Sequence, residues 1–114
     1  MARHLLDELA AGRTLPTSYP GPVQVIRFGN ELVMAALAGE PCVDYALRLR
    51  RELAGRPIWI AGYCNEIFAY IPSDRVLQEG GYEGGEAMVY FGLHGPFQPG
   101  LEQQIIDAVK RLAE

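Results

Sequence analysis

The chain has 114 residues, 49% hydrophobic and 21% charged, the make-up of one globular domain with its own core, which disfavours disordered, collagenous and coiled-coil chains. Ten basic against fourteen acidic residues leave a net charge of −4, so neither nucleic acid nor an anionic membrane surface is an expected partner. Two cysteines, Cys42 and Cys64, are too few for a disulfide scaffold or a two-cysteine zinc motif, and no apolar run is long enough for a transmembrane segment. Charged residues follow Met1 where a signal peptide needs an apolar stretch, so no export signal is expected.

Taken in chain order, residues 2–11 predict a short helix with Leu5, Leu6 and Leu9 on one face and Gly12 at its C-terminal end. Pro16, Pro20, Gly21 and Pro22 break the chain into a loop. Val23–Phe28 alternates as a strand, Gly29-Asn30 signals a two-residue hairpin, and Glu31–Leu37 is the returning strand. That second strand is apolar on both faces, which predicts a central position. Gly39-Glu40-Pro41 should end it and open a helix, with Pro41 in the first turn. Val43, Ala46, Leu47 and Leu53 form the predicted apolar stripe, and Gly55 stops the helix. Pro57–Ala61 is a second buried strand, so the unit is a parallel β-α-β crossover. Its two outgoing loops, at Gly39-Glu40 and from Gly62 onward, emerge on one sheet edge, where open α/β sheets bind ligands. Residues 62–85 read as a long loop holding Tyr63, Phe68, Tyr70 and Tyr82, and Ala87–Phe91 as a strand. A final helix follows Pro99-Gly100, with Leu101, Ile105, Ala108, Val109 and Leu112 on one face. The expected fold is a single α/β domain over residues 1–114, its mixed sheet built from the hairpin and the crossover and followed by a C-terminal helix.

Several side chains are chemical candidates. Glu40 is either a carboxylate favoured near a helix start or a metal ligand or general base at the sheet edge. Asn65 and Tyr70 are either a turn residue and a satisfied core phenol, or part of a site. The stretch Gly80-Gly81-Tyr82-Glu83-Gly84-Gly85 fits no phosphate-binding pattern, and nearby carboxylates would repel phosphate; it predicts a turn-rich loop presenting Tyr82. His4 and His94 have no ligand spacing. Neither Ser18 nor Ser73 stands in a nucleophile elbow. Cys42 has no evident histidine neighbour, and a Cys42–Cys64 disulfide stays open because both fall near the same edge.

In their order and spacing, these motifs resemble the neutral/alkaline non-lysosomal ceramidase family over about residues 22–112. The matching pieces are Ala38-Gly39-Glu40, Leu47-Arg48-Leu49-Arg50-Arg51, Ile58-Trp59-Ile60-Ala61-Gly62-Tyr63-Cys64-Asn65, Tyr70-Ile71-Pro72-Ser73, Gly81-Tyr82-Glu83 and Tyr90-Phe91-Gly92-Leu93-His94. The resemblance implies a zinc amidase that cleaves the N-acyl bond of ceramide, a lipid-like amide substrate, and a metal held by two histidines, a glutamate and a tyrosine. Glu40 and Tyr70 match the last two ligands; Tyr82 matches the catalytic tyrosine that steadies the oxyanion. Departures from the pattern are Ala38 for the proline of Pro-Gly-Glu, Ile67-Phe68 where the family has its first tyrosine after Asn65, and Pro72-Ser73 for Thr-Thr. They are closer to bacterial ceramidase-like relatives, and such family members are often secreted or periplasmic.

The family's zinc histidines and active-site serine belong to an upstream half, and neither His4 nor His94 matches a ligand position. The expectation is therefore the C-terminal part of a larger catalytic domain, inactive alone and without bound zinc, whose partner is either the N-terminal half or a second copy in a homodimer. The alternatives are a non-catalytic assembly module that self-associates and a small enzyme using Cys42.

Overall fold

The computed structural model describes residues 2–114, and its class is α/β, as expected. β1 (Val23–Phe28) and β2 (Leu32–Leu37) pair antiparallel, and β4 (Ile58–Ala61) pairs with β2 in parallel, giving the order β1-β2-β4. The hairpin register pairs Phe28 with Leu32. Its loop is thus the three residues Gly29–Glu31 rather than two, with Gly29 in the left-handed region at φ 58°. β2 is central, as its two-sided apolar pattern requires.

One face of this sheet carries the core. Val23, Val25, Ala35, Leu37, Ile58 and Ile60 pack there against α2 (Val43–Glu52) and α5 (Leu101–Ala113). The helix faces depart in part from the predicted stripes, although Leu53, Leu101, Ile105 and Val109 do pack on the core. α2 buries Tyr45 and Leu49, while Val43 and Leu47 are exposed. α5 buries Ile106, Val109 and Ala113, leaving Leu112 outside. In α2 the buried phenol decides the rotation. Tyr45 fills more volume than a valine, and its hydroxyl donates to the Pro72 carbonyl at 2.9 Å, so burial leaves no polar atom unpaired. The end of α5 is held by Arg27 and Arg56, whose guanidinium groups donate to the backbone carbonyls of Glu114 and Ala113. These are cations at a helix C-terminus, where carbonyls lack partners.

The opposite sheet face is also apolar, and much of it is open to solvent. Ile26, Met34 and Trp59 form a row across the three strands, with Phe28 and Leu32 beside it. Ile26 is 39%, Phe28 51% and Trp59 57% exposed.

A second, two-stranded sheet holds the region of interest. β3 (Glu40–Pro41) pairs in parallel with β5 (Tyr70–Ile71). Glu40 and Pro41 are therefore a strand, not the first helical turn, and α2 begins at Val43. The ladder explains why proline is tolerated: the Glu40 and Cys42 amides donate to the Ala69 and Ile71 carbonyls, so the nitrogen between them has no bond to make. Residues 62–85 are also more ordered than a loop. β5 is followed by α3 (Asp74–Glu79) and by a single turn, α4 (Gly81–Gly84). Glu86–Phe91 is a 3-10 helix rather than the predicted strand. It buries Ala87 and Met88, and Gly92 closes it at φ 73°.

The N-terminal helix α1 (Ala2–Ala10) stands apart. No other described element packs along it, and Leu6 and Leu9 are 64% and 52% exposed. The molecule measures 54 × 25 × 18 Å. No helix is long and apolar enough to cross a membrane among the described residues.

Candidate active site

The parallel bridge sets the geometry. Glu40 and Tyr70 are register partners across β3 and β5, on backbones about 4.8 Å apart. Three further backbone bonds hold this junction: the Gly39 amide donates to the Glu66 carbonyl, Tyr63 to Gly39, and Cys64 to Leu37. Gly39 has φ 70°, and a Cβ there would lie 2.7 Å from the Ala69 carbonyl oxygen and the Ile71 side chain. Only glycine lets the two chains approach this closely. The carboxyl ends of β2 and β4 thus open on one edge, as the crossover predicts.

Around this pair the chain assembles phenols. The Tyr82 ring meets the Tyr70 ring edge-on at 5.4 Å between centroids, and Tyr90 lies 6.4 Å from Tyr82. Tyr82 is delivered by the α4 turn, which nests against α3 where a Cβ on Gly84 would meet the Val76 carbonyl at 2.8 Å. A cleft of about 130 Å³ is lined by Glu40, Pro41, Cys42, Tyr70, Pro72 and Glu83, among others. The structure therefore brings Glu40, Tyr70 and Tyr82 together.

Tyr63 is the member that sequence reasoning missed. It occupies the left-handed region at φ 57°, and Asn65 follows at φ 70°, conformations that cost energy outside glycine. The Glu40 carboxylate faces its hydroxyl; that hydrogen bond, with burial and the carboxylate charge, holds the Tyr63 pKa above its ordinary value. Tyr70 is raised as well, first by burial, then by the charges of Glu40 and Tyr82. Both phenols are thus held protonated at physiological pH beside the Glu40 carboxylate.

The remaining candidates have structural roles. Ser73 is buried at the N-cap of α3, accepting from the Val76 amide while its hydroxyl donates to Asp44. Both thiols are free, so no Cys42–Cys64 bridge forms; the Cys42 sulfur accepts from the Ser73 amide at 3.3 Å. Among the described residues no three His, Cys, Asp or Glu side chains group as a metal site. Glu40 and Tyr70 offer two oxygen donors, fewer than a catalytic zinc takes from its protein. These residues alone do not fit the metal.

No family model matches the chain, and no solved structure matches it. A neutral ceramidase of Mycobacterium tuberculosis is 33% identical over 73 residues, which cover 59% of this chain and 11% of that protein. The chain thus spans about a tenth of its relative's length, and the likeness is to a segment of a ceramidase.

Proposed function

We propose that this chain forms one wall of an amide-hydrolase site of the ceramidase kind. The observation that carries the reading is the pairing of Glu40 with Tyr70 across a backbone ladder at one cleft, with the Tyr82 ring packed edge-on against Tyr70; the partial similarity to a neutral ceramidase agrees with it. Tyr82, its ring against Tyr70, is the phenol that donates a hydrogen bond to an amide carbonyl oxygen as it gains negative charge. Without metal, Tyr70 and Tyr63 keep their protons beside Glu40, so the wall presents phenol hydroxyls around one carboxylate; Tyr70 would lose its proton on binding zinc. In a complete site Glu40 and Tyr70 serve as two of the donors to zinc, and the other ligands come from polypeptide outside these residues.

The test is a zinc titration of the full chain, followed by the tyrosinate difference spectrum. Weak binding is expected, with a phenolate signal that Tyr70→Phe removes and Glu40→Gln weakens at least tenfold, and without turnover of a fluorogenic N-acyl amide. Zinc binding that neither substitution alters would overturn the assignment.

A further inference from the structure

We propose that Tyr63 is a positioning residue for Glu40: the strained turn after β4 brings its phenol to the carboxylate and fixes where that carboxylate stands in the cleft. The inference rests on the amidase reading for what Glu40 does there, while the positioning is a property of this chain alone. Residues 62–66 fold back on the segment that carries Glu40. The Tyr63 amide donates to the Gly39 carbonyl at 2.8 Å, the Cys64 amide to the Leu37 carbonyl at 3.0 Å, and the Glu66 carbonyl accepts from the Gly39 amide at 2.8 Å. Gly62 lies against Pro41, where a Cβ would come within 2.8 Å of the proline ring. Both chain neighbours of Glu40, Gly39 and Pro41, are therefore touched by residues 62 and 63.

These bonds fix the course of the turn whatever side chain stands at position 63. They also force Tyr63 to φ 57° and Asn65 to φ 70°. Asparagine enters the left-handed region readily, but a bulky ring does so at a cost. Glycine would satisfy the same backbone without strain. Such strain persists only where the surroundings over-determine it, and it collects at functional sites. Core packing does not account for the tyrosine, because it is 55% exposed. What the side chain adds is its hydroxyl, and the partner of that hydroxyl is the Glu40 carboxylate. A hydrogen bond to an ionised acceptor is stronger than one between neutral groups. Tyr70 meets Glu40 from β5, across the ladder, whereas Tyr63 meets it from the turn after β4. A half-buried carboxylate approached from two separate segments loses the freedom to swing out to solvent.

Nuclear magnetic resonance of the full chain, labelled at glutamate, reads the positioning directly through the scalar couplings of the Glu40 side chain. The parent should show one dominant rotamer. Tyr63→Phe keeps the ring and the turn but lacks the hydroxyl, and it should spread Glu40 over two or more rotamers of comparable population. Tyr63→Gly should free Glu40 in the same way, yet unfold at a urea concentration no lower than the parent's, because the strain leaves with the side chain. A Glu40 rotamer unchanged in Tyr63→Phe overturns the proposal, as does a Glu40 already averaged in the parent. So does a clear fall in the urea midpoint of Tyr63→Gly, which would make the tyrosine a packing residue. The amidase reading fails separately: a parent chain that gives no tyrosinate signal with zinc removes that reading, and the rotamer comparison still decides the role of Tyr63.

Discussion

Gly39 is where residue identity and site geometry meet most directly. A methyl group there meets the Ala69 carbonyl oxygen and Ile71 in a backbone conformation L-residues avoid. Gly39→Ala should therefore cost roughly 2–4 kcal/mol, combining overpacking with left-handed strain, and it should separate Glu40 from Tyr70. Urea denaturation measures the first effect and the zinc-induced tyrosinate signal the second. The phenols give a second prediction. Because the Glu40 charge helps raise both Tyr63 and Tyr70, Glu40→Gln should lower both, and a spectrophotometric titration should show them ionising at lower pH than in the parent chain. Glu40, Tyr70 and Tyr82 were legible as candidates because their spacing carries a family pattern. Tyr63 stood in a matching piece without a role of its own: no residue type announces that a tyrosine will take φ 57°, although Gly62 before it and Asn65 after it mark a turn.

Elements were legible where periodicity was strong and the partner near in sequence. The hairpin, the crossover and the C-terminal helix follow from such patterns. The rotation of α2 did not, because an apolar stripe drawn through Val43 and Leu47 ignores what a phenol gains by filling the core and reaching Pro72. Ala87–Phe91 carries strand-forming residues, yet it is a 3-10 helix between Gly85 and Gly92; tertiary packing of Ala87 and Met88 overrides propensity. The two-residue strands β3 and β5 are too short for any period to register. At this scale the α3 cap is the testable joint. Ser73→Ala removes the acceptor for the Val76 amide and the donor to Asp44, and should cost about 1–2 kcal/mol. The denaturation midpoint should fall with the slope unchanged.

Across the whole molecule, charge links the helices that cover the core. Arg48 bonds Glu52 within α2 and reaches Glu102 of α5, while Lys110 of α5 returns to Glu52. Hydrogen bonds from Arg48 and then Lys110 lower the Glu52 pKa from its ordinary 4.5 to about 2. A depressed carboxylate contributes stability that is complete above its unfolded value and lost as pH falls through the folded one. Stability measured in urea should therefore decline between about pH 4.5 and pH 2, and Glu52→Gln should flatten that decline. Asp44 is lowered too, by Arg75 and then Ser73, and adds in the same direction.

The ladder joining β3 to β5 has a dynamic consequence. The amides of Glu40 and Cys42 point at Ala69 and Ile71, so deuterium can enter them only when the strands part. That same event separates the carboxylate from the phenol. Slow, matched exchange at these two backbone positions would thus time how long the cleft stays assembled, without any substrate present.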